Sequence, residues 1–412
     1  MGDLSELSIS RRVVQLGDGG RDDARRAPSS ITRALLSGAL LSATCLLAGI
    51  VCAAPARAAS PRASDAALQR AIARLVAKPD GPPGVAVVVQ RGRRVAFHTA
   101  GVADVRRKQP IEPTDHMRLA SVAKAFSGAV ALSLVAERKL SLSDTVGKWL
   151  PSLPAAWSAV TLRELLAHTS GIPDFSQTED FGEALGKSLL LAPAPEALLA
   201  FAAPRLQFAP GSRYHYSNSD NVIVALIAAA AGRSSYESEL SQRVLAPLRL
   251  SSTSLPSDAR LPRPFVHAYV VDPPNAPEDV SELFAAGWSW ASGGVVSTPR
   301  DANSFVRAYV RGALTNRSTR AAQFTFVPGS SEPTGPGVNS AGLAIFRYRT
   351  RCGTVYGHTG NTAGFTQLIA ANASGTRSTV VSVNAQITPK SNAKRFSELR
   401  AIYTLAVCSA LA

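Results

Sequence analysis

Ser121-Val122-Ala123-Lys124 sets a hydroxyl three residues ahead of an amine, a spacing that on a helix puts both groups on one face, a turn apart. Burial lowers a lysine's pKa because it disfavours the ammonium, and a neutral amine can take a serine's proton. Val122, Phe126, Ala129, Val130 and Leu134 recur at the spacing of one apolar helix face and carry the pair into a helix. Tyr216-Ser217-Asn218 is the one Tyr-x-Asn in the chain, offering a phenol for acid–base work beside an amide that bonds both ways. His358-Thr359-Gly360 occurs once, between Gly357 and Gly364, and reads as a strand whose glycine lets a ligand approach the backbone. An extended peptide could pair with such an edge. Ser391-Asn392-Ala393-Lys394 repeats the Ser-x-x-Lys spacing near the C-terminus, so the spacing alone identifies nothing.

Other chemistries have no foothold. The chain has no Gly-x-Ser-x-Gly elbow, no His-Glu-x-x-His or paired-cysteine metal pattern, and no phosphate-binding glycine loop. No cofactor and no metal are therefore expected. His168-Thr169-Ser170-Gly171 reads as a structural turn, and His98, His116, His215 and His267 stand isolated.

The elements that must position these residues follow from periodicity. A helix over 64–77 precedes a hairpin of strands, 84–90 and 95–99. From the Ser121 helix to about Pro262 the chain reads mostly helical, with apolar-periodic runs at 162–166, 221–231 and 236–245. Strand character returns at 294–297, 342–347, 354–357, 365–371 and 378–384, and a helix over 393–408 closes the chain. Strands at both ends imply a mixed α/β fold: a sheet lobe of about 61–135 and 285–412 carrying an inserted helical lobe of about 136–284.

Residues 1–58 differ from the rest. Six arginines between Arg11 and Arg33 precede an uncharged apolar run from Ala34 to Ala54, and Ala56-Arg57-Ala58 offers a small-x-small cleavage site. The pattern is that of a secretory signal with an extended n-region, and its alternative is an uncleaved anchor, since the run is long enough to span a bilayer. Cleavage would leave residues 59–412 as one domain, secreted or periplasmic, with no membrane span and expected as a monomer. The whole chain of 412 residues carries a net charge of +15. The first 58 residues hold seven of the 44 basic and five of the 29 acidic residues, leaving +13 for a protein expected among the anionic polymers of a cell envelope. Scattered arginines and the absence of any helix-turn-helix, zinc or aromatic-basic module argue against nucleic acid. Cys352 and Cys408 remain after cleavage, and two cysteines in an exported chain suggest one disulfide, the alternative being two buried thiols.

Ser-x-x-Lys, Tyr-Ser-Asn and His-Thr-Gly in this order resemble the serine penicillin-recognising enzymes, in particular the group with class C β-lactamases, exported D-Ala-D-Ala carboxypeptidases and related esterases. The resemblance runs from about Gly84 to the C-terminus and includes Leu165-Leu166-Ala167-His168-Thr169-Ser170-Gly171, Phe208-Ala209-Pro210-Gly211 and Gly293-Gly294-Val295-Val296-Ser297-Thr298. The run from Cys352 to Gly360 looks like the soluble actinobacterial-type carboxypeptidase, which pairs a cysteine here with one near its end. The resemblance implies a β-lactamase/transpeptidase-like fold, with Ser121 as nucleophile, Lys124 as its activating partner and Tyr216 as proton carrier. Asn218, His358, Thr359, Gly360 and Asn361 would bind substrate, and Trp290 would wall the pocket. The backbone N–H groups of Ser121 and Asn361 would form an oxyanion hole, and a carboxylate-binding arginine is expected near Arg347.

β-Lactamases carry Lys-Thr-Gly where this chain has His358-Thr359-Gly360, and histidine there looks more like the carboxypeptidases. The expected function is an acyl-enzyme D-Ala-D-Ala carboxypeptidase whose substrates are peptidoglycan stem peptides, with β-lactams as acylating ligands. A β-lactamase, an esterase or D-aminopeptidase, and a non-catalytic envelope-binding protein are the alternatives. His358 itself leaves two roles open: a cation that holds a substrate carboxylate, or a neutral ring that only hydrogen-bonds.

Overall fold

The computed structural model describes residues 61–412. The signal-like segment of residues 1–58 lies outside them. Helix α1 (Pro61–Val76) leads to a hairpin of β1 (Gly84–Arg91) and β2 (Arg94–Gly101). The short strand β3 (Met117–Arg118) and a 3-10 turn, Ala120–Val122, feed α2 (Ala123–Ala136). A long and mostly helical stretch follows, including α3 (Asn218–Gly232) and α4 (Tyr236–Leu240). Strand β4 (Val296–Ser297) and helix α5 (Pro299–Arg311) lead back toward the sheet. The sheet is then completed by β5 (Val338–Ala341), β6 (Phe346–Thr350), β7 (Gly353–Thr362), β8 (Phe365–Ala371) and β9 (Arg377–Val383), and α6 (Ala393–Leu411) ends the chain.

Seven strands form one antiparallel sheet in the order β2-β1-β9-β8-β7-β6-β5, so the two ends of the chain meet at β1 and β9. Alternation along β1 explains why it is buried from Gly84 to Gln90. Val85, Val87 and Val89 face an outer core with Leu68 and Ile72 of α1 and Leu399 and Tyr403 of α6. Ala86 and Val88 face the inner core with Phe126 of α2 and Phe305 of α5, whose rings stack at 3.7 Å. Each fully buried valine or phenylalanine of this kind contributes about 1.5–3 kcal/mol.

The expected helix behind Ser121 forms, but it is apolar all round rather than on one face. Every residue from Ala123 to Leu134 is buried, which makes α2 a central helix of the molecule. Three other expectations shift. The strand read at 294–297 is reduced to two residues paired with β3, outside the main sheet. The strand read at 342–347 is mostly the turn between β5 and β6. The helix read at 236–245 is α-helical to Leu240 and π-helical over Ser241–Leu245. Cys352 and Cys408 are disulfide-bonded with Cα atoms 5.1 Å apart, tying the β6–β7 turn to the last turn of α6.

Candidate active site

Ser121 stands in the 3-10 turn ahead of α2, preceded by Ala120 in the left-handed region at φ +50°. A non-glycine residue held there is uncommon and marks a constrained turn. Lys124, one turn on, is 1% exposed and donates from Nζ to Ser121 Oγ at 3.1 Å. The same amine donates to Asn218 Oδ1 at 2.6 Å and to the Ser292 carbonyl at 2.7 Å. Burial pushes its pKa down to about 7, against the opposing pull of Asp174 and Asp220. A substantial fraction is then neutral amine near neutral pH, positioned to accept the serine proton.

Tyr216 completes the cluster. Its ring lies 5.0 Å from Lys124 Nζ, and its hydroxyl is buried beside Ser121 without a well-formed hydrogen bond. Burial holds the phenol far above its ordinary pKa, so the group stays protonated and serves as an acid first. The Asn218 amide is already engaged: its Nδ2 donates to Asp174 Oδ2 at 3.0 Å and to Ser176 Oγ at 2.8 Å. In this state it orients Lys124 at least as much as it offers itself to substrate.

β7 passes against the nucleophile because residue 360 is glycine. A Cβ there would stand 2.3 Å from the Leu119 carbonyl oxygen and 3.2 Å from the Ser121 nitrogen. The contact brings β7 against the backbone of Ser121, and Asn361, whose N–H is expected beside that of Ser121 in an oxyanion hole, is the next residue along the strand. The Asn361 side chain accepts from Thr366 Oγ1 at 3.0 Å. Thr359 is buried beside Tyr348 with its hydroxyl closed to solvent, so substrate at this position would meet backbone.

His358 is 1% exposed, and burial with Lys124 nearby pushes its pKa down to about 3. Its Nδ1 lies 2.5 Å from the Thr359 carbonyl, which can only accept, so Nδ1 carries the proton and Nε2 is a bare acceptor. Burial thus favours the neutral ring over the carboxylate-holding cation. The Tyr216 hydroxyl and His358 Nε2 are both buried without a partner, on rings 6.5 Å apart. Because His358 does not titrate near pH 6.5, the pH–rate profiles of an anionic peptide and a neutral ester should match in shape above pH 5. A falling limb near pH 6.5 for the peptide alone would restore the charged histidine.

One expectation about the rim changes. Trp290 is 6% exposed, its indole N–H donates to Glu237 Oε1 at 2.7 Å, and its ring packs edge-on against Tyr236. With φ at +36°, it braces the turn that aims the Ser292 carbonyl at Lys124 rather than walling a pocket. Arg347, near which a carboxylate-binding arginine is expected, is half-buried, stacked over Phe326 at 4.3 Å and bonded to Ser340 Oγ, on the strand beside the one that carries His358. The second Ser-x-x-Lys fails as a site: Ser391 and Lys394 are exposed, and Ser391 is bonded within a turn to Thr388.

Residues that sequence reasoning passed over support the cluster from behind. His168, read as a structural turn residue, lies with its ring 4.5 Å from Tyr216 and its Nδ1 2.8 Å from Asp220 Oδ2. Burial pushes the Asp220 carboxyl up and the His168 ring down, directions that describe a pair sharing one proton without net charge. Asp174 accepts from the Asn218 backbone and side chain, both at 3.0 Å. Asp220, two residues after Asn218 at the start of α3, was the available signal for this layer, but spacing alone does not reveal its burial.

Residues 68–403 match the family described as Beta-lactamase. The chain belongs to that family. Protein flp of Staphylococcus aureus (strain NCTC 8325 / PS 47) is 30% identical over 177 residues, 42% of this chain and 34% of that protein. A Beta-lactamase of Escherichia coli (strain K12) is 28% identical over 216 residues, 51% of this chain and 53% of the enzyme. The chain thus spans about a third to a half of the length of these curated relatives. Among solved structures, a D-stereospecific amidohydrolase from Streptomyces sp. superposes with a TM-score of 0.71 at 28% identity, covering 81% of this chain and 98% of that one. The D-amino acid amidase from Ochrobactrum anthropi SV3 complexed with L-phenylalanine superposes at 0.72 and 22% identity, covering 84% and 98%, a likeness of fold. The mixed α/β architecture and the serine hydrolase chemistry are those of this family.

Proposed function

We propose that this serine hydrolase is an exported D-alanyl-D-alanine carboxypeptidase that cleaves peptidoglycan stem peptides and is acylated by penicillins at the same serine. The observation that carries the reading is the Lys124 amine, 3.1 Å from Ser121 Oγ with a pKa near 7. As Ser121 attacks the penultimate D-Ala carbonyl, Lys124 takes the hydroxyl proton and the backbone beside Gly360 receives the oxyanion. The C–N bond breaks when Tyr216 gives its proton to the departing amine. Lys124 can return the proton it holds to the phenolate, leaving an acyl-ester on Ser121. Water then attacks that ester, losing its proton to the same pair, which returns a proton to Ser121 Oγ as the C–O bond breaks and the shortened peptide leaves as its acid.

The His358-Thr359-Gly360 motif, with histidine where β-lactamases carry lysine, supports a peptidase over a β-lactamase by resemblance, and the Cys352–Cys408 bond adds to the likeness to soluble carboxypeptidases. One observation favours a second reading. The D-stereospecific amidohydrolase is matched over nearly its whole length, which supports a D-configured acyl donor but leaves room for a D-aminopeptidase. A panel of a D-Ala-D-Ala peptide, a D-amino acid amide, a chromogenic cephalosporin and a short-chain ester should give the highest kcat/KM with the peptide. Faster turnover of the cephalosporin would make the protein a β-lactamase. Turnover of the amide alone would make it a D-aminopeptidase.

A further inference from the structure

The turns of three hairpins meet at the end of the sheet opposite the nucleophile. Arg91 pairs with both Arg94 and Arg377, Gly92 donates to the Thr376 carbonyl at 2.8 Å, and the disulfide brings the β6–β7 turn to the end of α6. Helix α5 ends here as well, since Arg307 Nε donates to the Gly375 carbonyl at 2.8 Å. Arg320 Nη2 reaches the neighbouring Ala373 carbonyl at 2.8 Å. The segments that make this end are 91–94, 307–320, 349–353, 372–377 and 404–412. They contain ten arginines and no Asp or Glu.

Arg93, Arg94, Arg311, Arg349 and Arg351 are exposed. Arg307 is held below its ordinary range by burial and by the like charge of Arg311, so the crowding is real. The acid contributed by α1, Asp65, is bonded to Arg91. Asp65 on Arg91 and the Ala412 oxygen on Arg377 answer two of the ten arginines, so the face keeps a large excess of positive charge, and arginine forks suit phosphate oxygens.

The chain joins the fold at this same end. Asp65, in the second turn of α1, contacts Arg91 and Ser409. The uncharged apolar run of residues 34–54 stops seven residues before Pro61, a reach of at most about 25 Å. Gly360, against Ser121, lies seven strand residues from Gly353, about 24 Å away along β7.

We propose that the arginine end is a docking face for an anionic phospholipid surface, holding the protein with its Ser121 cleft turned outward from the bilayer. The setting rests on an exported protein that keeps residues 34–54 as its anchor, but the surface is testable without it. Position favours lipid over a soluble polyanion, because the face lies where the segment following a bilayer-length apolar run meets the fold.

Residues 59–412 contain every described element and the whole family match, so this chain is the one to test. It should float with vesicles of phosphatidylglycerol and phosphatidylcholine at low salt, and not with phosphatidylcholine alone. The triple variant Arg93→Gln, Arg94→Gln, Arg351→Gln should bind about 100-fold more weakly, at roughly fivefold per arginine. Penicillin acylation should be unchanged in it. Neutralising three exposed arginines elsewhere, Arg106, Arg205 and Arg260, should cost far less. An equal loss in that control would reduce the effect to overall charge and overturn the proposal. Binding to linear polyphosphate in solution without flotation would overturn it in favour of a soluble polyanion. Acylation measured on the same samples separates this proposal from the enzymatic one: a floating but unacylated protein sinks only the latter.

Discussion

Lys124→Met leaves Ser121 with a hydroxyl and no base, and acylation by penicillin should fall by about 10²–10⁴. Methionine fills the buried channel among Ser121, Asn218 and the Ser292 carbonyl without bringing a charge into it, so the fold should survive. The sign of the pH effect follows from the direction of the shift. Burial lowers the Lys124 pKa to about 7, so the amine gains its lone pair as pH rises through that value. The acylation rate of the unaltered protein should therefore climb through about pH 7 and then level off. In Lys124→Met the residual rate should lack that limb. Stopped-flow acylation by a chromogenic penicillin across pH 5–9 measures both. A limb near pH 7 that survives in the variant would assign it to another group and remove Lys124 from the role of base.

Tyr216→Phe keeps the ring against His168 and Lys124 and deletes a hydroxyl that has no well-formed partner in the resting site. Removing an unsatisfied buried hydroxyl costs little stability. The expected loss is instead in turnover, about 10²–10⁴ in kcat/KM for peptide, because Tyr216 is the acid assigned to the leaving amine. A strained β-lactam depends less on leaving-group protonation, so its acylation should fall less than peptide cleavage does. Parallel measurement of melting temperature and kcat/KM separates the roles. A loss below tenfold at unchanged stability would return Tyr216 to packing.

Much of this site is legible in the sequence because its chemistry is carried by short segments that each fold locally. Ser121 and Lys124 are one helical turn apart, Tyr216 and Asn218 flank one residue, and His358 to Asn361 lie on one strand. The support behind them is not legible in the same way. Asp174, Asp220 and Ser292 come from three distant stretches, and they matter because of burial and of which carbonyl or carboxylate meets which amide. Periodicity does not encode such contacts. The charge state of His358 was likewise open until its burial was known, since one imidazole serves as cation or neutral acceptor according to its surroundings. Trp290 reads as a wall by position, yet its indole is taken up by Glu237 and Tyr236. At the level of the fold, long apolar runs such as 365–371 fall within a residue of their strands. The region 338–350 does not, because a tight turn, with Ala344 in the left-handed region, interrupts what reads as one strand.

The central claim is that Ser121, and not any other hydroxyl, becomes covalently acylated. Intact-protein mass spectrometry after incubation with penicillin, followed by peptide mapping, tests it most directly. A single adduct on the peptide that contains Ser121, absent from Ser121→Ala, is the expected result. An adduct that persists in Ser121→Ala, or that maps to Ser391, would contradict the account.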